Sequence, residues 1–223
     1  MRSLLLVTSL SLAAAALANP AQAADPLTGR PVKEDSLYQH RSQFMINFGI
    51  QNGGDEMLPL SDIATGEQVD SSRAGGYARL TVGGDIAIGE TPFSVQVGAG
   101  LLRDGLRGEL SSGKSVFKRK ILEFIPFWNY ERHRFGAGVV AHLEPKFHYN
   151  PAGDGGYSQE FDDAVGAVVQ YDIRYDQDIS VGARYTYINY EKTGTTETVG
   201  GEPLLPEAEY SGRAIGIHIT YAF

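Results

Sequence analysis

Between Tyr210 and Phe223 the chain alternates strictly. Arg213, Ile215, Ile217, Ile219, Tyr221 and Phe223 occupy every second position, and Gly212, Ala214, Gly216, His218, Thr220 and Ala222 fill the gaps. A strand turns successive side chains to opposite faces, so period two gives one bulky apolar face and one small or polar face. A helix would scatter both sets around its circumference. This pattern restricts the stretch to a strand with two different environments, and it recurs along nearly the whole chain.

Seven earlier segments repeat it. Phe44, Ile46, Phe48 and Ile50 mark the first, over about 42–51, and Ala78, Leu80, Val82 and Ile86 the second, over about 75–88. Phe93, Val95, Val97, Ala99 and Leu101 mark the third, over 92–102. Leu122, Phe124, Pro126, Trp128 and Tyr130 mark the fourth, over about 118–130, where Pro126 predicts a bulge or an interrupted hydrogen bond. Phe135 to Leu143, Val165 to Ile173 and Ile179 to Tyr187 complete the set. Short turns at 89–91, 131–132 and 174–178 alternate with long polar connections at 52–74, 103–117, 145–160 and 191–209. Even strand number with alternating short turns and long loops is the layout of a bacterial outer-membrane barrel. The expected fold is all-β: an eight-stranded antiparallel up-and-down transmembrane β-barrel over residues 41–223, with both ends periplasmic and four long loops extracellular.

A soluble up-and-down barrel would share this strand count. Its non-apolar face would be solvated and rich in Lys, Glu and Thr. Here that face is mostly Gly, Ala and Ser, the residues that fit where eight strands converge. Aromatics near strand ends, including Phe93, Trp128, Tyr130, Phe135, Tyr171, Tyr187, Tyr221 and Phe223, fit interfacial girdles. The 27 glycines and 12 tyrosines agree with that composition.

Met1-Arg2, the apolar run Leu4 to Leu17 and Ala21-Gln22-Ala23 form the three parts of a secretory signal peptide over 1–23. Residues 24–40 carry Pro26, Gly29 and Pro31 without periodicity and suggest a short periplasmic lead. The chain contains no cysteine, which excludes disulfides and thiolate metal sites. A net charge of -8 argues against nucleic acid as a partner.

With its closing stretch Ile217-His218-Ile219-Thr220-Tyr221-Ala222-Phe223, the chain resembles the small eight-stranded outer-membrane proteins of the OmpX/Ail and OmpA-barrel kind. His133-Arg134-Phe135-Gly136-Ala137-Gly138 and His142-Leu143-Glu144-Pro145 are similar to hairpins in that group. The resemblance implies a location in the Gram-negative outer membrane. It also implies an assembly signal at Ile219, Tyr221 and Phe223, read by the outer-membrane assembly machinery. The resemblance does not carry over the peptidoglycan-binding function of OmpA.

Three groups of residues are candidates for function. Arg79, Glu123, His142 and Glu144 are expected in the extracellular half of the lumen, and Asp85, Asp172, Arg184 and His218 in the periplasmic half. Buried charges persist only when paired, so two ion-pair clusters that plug the lumen are expected. A narrow pore for small solutes is the alternative. The second long loop is basic, and Arg103, Arg107, Lys114 and Lys118 are candidates for charge-assisted contacts to lipopolysaccharide phosphates. His218 and Thr220 share a face, which keeps open a lipid A-modifying enzyme, although no Gly-x-Ser-x-Gly elbow is present. No catalytic residue, metal or cofactor is implied. The expected role is structural or surface-interactive and non-enzymatic, with outer-membrane lipids and lipopolysaccharide as partners and a monomer favoured.

Overall fold

The alternating segments pair in chain order. A computed structural model describes residues 41–223, apart from 62–67, 108–112, 152–155, 194–197, 200–201, 204 and 206. The expected signal peptide (1–23) and lead (24–40) lie outside the described residues. The barrel strands are β1 (Gln43–Gly53), β2 (Ala78–Ala87), β3 (Phe93–Arg107), β4 (Gly113–Tyr130), β5 (His133–Pro151), β6 (Ala164–Arg174), β7 (Ile179–Tyr187) and β8 (Ala214–Ala222). Each is antiparallel to the next. β8 then pairs with β1 from Met45↔Ala222 to Gly53↔Ala214, which closes the sheet into an eight-stranded antiparallel barrel. Phe44 and Phe223 exchange backbone hydrogen bonds of 3.0 and 2.9 Å at the seam, so the closing strand is paired to its last residue.

The apolar face points outward. Phe44, Leu101, Val165 and Ile215 are 71, 61, 74 and 67% exposed, amid a continuous band of large apolar side chains. A soluble protein rarely exposes contiguous apolar patches beyond a few hundred Å². On β3 the band runs from Phe93 to Leu101, and on β4 from Leu122 to Tyr130. Each run is about nine residues, the length a tilted strand needs to cross the hydrocarbon core. At the end of the short turns the band finishes in stacked rings. Trp128 lies 5.8 Å from Tyr130 and 5.7 Å from Phe135, and Phe135 lies 5.0 Å from Tyr171. Across the seam, Phe223 packs on Phe44 and Tyr221.

The long connections differ from expectation. Arg103 pairs with Lys118 and Arg107 with Lys114, so most of the expected second loop is strand. β5 likewise continues to Pro151 and pairs with a further strand, Tyr157–Glu160. At about 3.3 Å per residue, β4 extends roughly 30 Å along its length beyond the apolar band. β3, β4 and β5 therefore form a fin above one side of the barrel. Glu56–Ser61 pairs with Gln68–Arg73, and Asn189–Glu191 with Glu209–Ser211. These segments enclose a second core made of Met57, Phe117, Phe147, Phe161, Ile188, Tyr190, Leu205 and Tyr210. It sits over the loop end of the lumen.

Two local irregularities shape β4 and β5. Opposite β5 the pairing is interrupted between Phe124↔Val139 and Phe127↔Gly136. Pro126, which has no N–H to donate, lies in that gap and the register is kept. The bulge lies elsewhere. Lys118↔Lys146 and Lys120↔Leu143 differ by one residue, and Glu144 takes a left-handed φ of 49°. One extra residue on β5 thus interrupts the alternation and re-aims the side chains that follow.

Candidate functional site

The inward face of the barrel carries the buried ionisable residues, which meet at three heights. Glu123 projects from β4 into the middle of the lumen. Its carboxylate accepts hydrogen bonds from Arg184 Nη1 of β7 at 2.8 Å, Arg79 Nη1 of β2 at 3.3 Å and Gln96 Nε2 of β3 at 2.9 Å. Gln170 Oε1 accepts a further bond from Arg184 at 3.2 Å. One carboxylate therefore ties three other strands together across the interior.

Toward the short turns, Asp172 carries a second cluster. His218 Nε2 lies 2.8 Å from Asp172 Oδ1, and Gln170 Nε2 donates to the same carboxylate at 3.1 Å. Arg134 lies 3.6 Å from Asp172 and 2.9 Å from Asp85, and Arg174 lies 3.7 Å from Asp85. Asn129 Oδ1 accepts from both arginines at 3.2 Å. The Arg134 guanidinium also covers the Phe127 ring at 4.2 Å.

At the loop end the interior turns aromatic. Tyr190 OH lies 2.5 Å from His142 Nδ1. The Arg119 guanidinium lies over the rings of Phe117 and Tyr190, 4.1 and 5.3 Å from their centroids. A cation over such a face is stabilised by the ring quadrupole. Phe161 packs edge-on against Tyr190 and Tyr210, which extends this layer into the core above the lumen.

Outside, the fin presents a different chemistry. Cross-strand pairing aligns Arg103, Lys118, Lys146 and Glu160 in one row across β3, β4, β5 and the added strand. Arg103 and Lys118 are exposed, and among the described residues neither has an ionic partner. Lys146 is bound to Glu160 at 2.7 Å. One step closer to the apolar band, Lys120 is bound to Glu144 at 2.6 Å.

No family model matches the sequence, and no curated protein does. Solved structures do match. Ail, the attachment invasion locus protein of Yersinia pestis, aligns over 83% of this chain and 100% of its own, with a TM-score of 0.51 at 11% identity. The fold is that of the small outer-membrane barrels. A major outer membrane protein from Thermus thermophilus aligns over 82% of this chain and 100% of its own, at TM-score 0.46 and 12% identity. The outer membrane protein AlkL aligns over 82% and 91%, at TM-score 0.39 and 18% identity.

Within this outer-membrane barrel the expected lumen residues divide differently from the two proposed halves. Arg79, Glu123, His142, Asp85, Asp172, Arg184 and His218 are all buried. Arg184, expected with Asp172, instead joins Arg79 on Glu123, because its long side chain reaches across the interior. Glu144 is not in the lumen. The bulge turns it outward, where it binds Lys120 and is exposed. Sequence reasoning missed Arg134, although it precedes the outward Phe135 and so lies on the inward face. Arg119, close to the expected start of the fourth strand, is likewise buried on the inward face. Ile219, Tyr221 and Phe223 are exposed on the outward face. Lys114 is half-buried, and the side chain of Arg107 lies outside the described residues.

Proposed function

We propose that the protein is a closed, non-enzymatic outer-membrane barrel that acts through its surface, holding lipopolysaccharide by phosphate contacts on the outer face of the fin. The observation that carries this is the Arg103–Lys118 pair. Both side chains are exposed, they oppose each other on adjacent strands, and they stand just above the apolar band. Phosphates of outer-leaflet lipopolysaccharide lie at that height. Guanidinium and ammonium groups bind phosphate oxygens through charge-assisted hydrogen bonds, with Arg able to bind two at once. Arg107 and Lys114 belong to the same contact surface in this proposal. Insertion follows export by the signal peptide and recognition of the closing strand by the assembly machinery.

Replacing Arg103, Arg107, Lys114 and Lys118 together by Ser is expected to weaken association with lipopolysaccharide in a pull-down on the folded protein. Unchanged association would overturn the assignment.

A pore is disfavoured by the lumen, where Glu123 joins facing strands at mid-height and an aromatic core covers the loop end. The purified barrel in planar bilayers is expected to show no large stable openings, and regular openings would refute closure. The lipid A-modifying alternative needs a histidine that activates a hydroxyl. His218 Nε2 lies on Asp172 rather than on a hydroxyl, and the Thr220 hydroxyl on the same face accepts from Asn47 Nδ2 at 2.6 Å.

A further inference from the structure

Beyond the first basic row, the same face of the fin carries a second row, in which Val116 is buried and His148 half-buried. Gly105, Val116, His148 and Ser158 are aligned by the same cross-strand pairing. His148 is the titratable member of this row. Directly below it is the row Arg103, Lys118, Lys146 and Glu160, and above it stands the Arg107–Lys114 pair. The bulge at Glu144 places His148 here. Had the alternation of β5 run on unbroken through Glu144, His148 would share the inward face with His142.

We infer that His148 belongs to the phosphate-binding face and makes its hold on lipopolysaccharide tighten as the surroundings become acidic. The inference rests on the proposed lipopolysaccharide contact and names how that contact is regulated.

The charged groups facing His148 are Lys146 on its own strand, Lys114 and Lys118 on β4, and Glu160 on the added strand. Partial burial, then repulsion by Lys146 and Lys118, outweighs attraction by Glu160 and holds its imidazole below the usual histidine range. At neutral pH it is therefore an uncharged group inside a cationic patch. An anion seated on that patch screens the lysines and favours the imidazolium. By linkage, protonation favours the anion in return. The sign follows directly: affinity is lowest where His148 is neutral and rises as pH falls through its titration. The new cation adds one donor to a face already carrying Arg103 and Lys118.

The test uses the full barrel in detergent micelles, at fixed ionic strength, between pH 5 and pH 8. Dextran sulfate is the first probe, because sulfate esters keep their charge across that range. Bisphosphorylated lipid A in nanodiscs is the second, compared between variants at each pH, since its own phosphates gain protons near pH 6. For the native protein, affinity for dextran sulfate is expected to increase about two- to fivefold on acidification, the size of one partly screened charge contact. His148→Gln is expected to remove that increase, and His148→Lys to bind tightly throughout. The same difference between native and His148→Gln is expected with lipid A. Native binding that does not change with pH, or full pH dependence retained in His148→Gln, would overturn the inference and leave the lipopolysaccharide reading standing. No binding of either probe at any pH would overturn that reading itself.

Discussion

Glu123→Ala is expected to destabilise the barrel by about 3–5 kcal/mol, the cost of leaving buried partners of an ion pair uncompensated. Arg79 and Arg184 are 3 and 5% exposed, and Glu123 is the carboxylate that both bind. Removing it leaves two like charges facing each other in a space closed to bulk water, and strips Gln96 Nε2 of its acceptor. Urea titration followed by Trp128 fluorescence measures the effect, and a loss below about 1 kcal/mol would show that the cluster is not held by charge pairing. Glu123→Gln keeps the shape and some hydrogen bonds but not the charge, so it should fall between. The triple replacement Arg79→Met, Glu123→Leu and Arg184→Met removes the whole charged set, and is expected to cost far less than the single change. That contrast separates pairing from bulk.

Gly100→Val is expected to prevent recovery of a closed barrel. A Cβ at Gly100 would lie 2.0 Å from the Leu80 carbonyl oxygen and 2.6 Å from Thr81 Cγ2. The first is backbone of the neighbouring strand and cannot yield without breaking the ladder. Eight strands enclose an interior only about wide enough for side chains, and tight curvature brings inward Cβ positions against the adjacent chain. Gly84→Ala is the control. Its Cβ would meet Gln43 O at an ordinary 3.5 Å, and a change within about 0.5 kcal/mol is expected. Heat-modifiable migration on gels reports closure in both cases. A native-like band for Gly100→Val would mean that the strands can separate enough to admit the side chain.

The barrel was readable because lipid imposes a severe rule on sequence. Each crossing must present apolar residues at every second position, and Ile215, Ile217, Ile219 and Tyr221 do so without exception. The fin obeys no such rule. Lys114, Lys118, Lys146 and His148 stand on a water-facing sheet, where polar residues look like those of a loop. The pairing of Arg103 with Lys118 therefore left no periodic mark strong enough to distinguish strand from connection. The lumen was legible as a list of inward residues but not as a set of partners. Arg184 could reach either carboxylate layer, and only the distance across the barrel decides that it meets Glu123. Glu144 was misplaced for a simpler reason: one residue in a left-handed conformation carries little signal in sequence, yet shifts the face of every position after it.

That shift has a larger meaning at the membrane boundary. Below Glu144, β5 wears its apolar residues on the outside, with Phe135, Val139 and Leu143 turned to the lipid side. Above it, Phe147 is buried inside while Lys146 and His148 face out. On β5 the change from lipid to water turns the strand inside out, and one inserted residue accomplishes this with the same alternating pattern on either side, whereas β3 and β4 continue upward in unbroken register. The position of such an insertion marks the waterline on the strand.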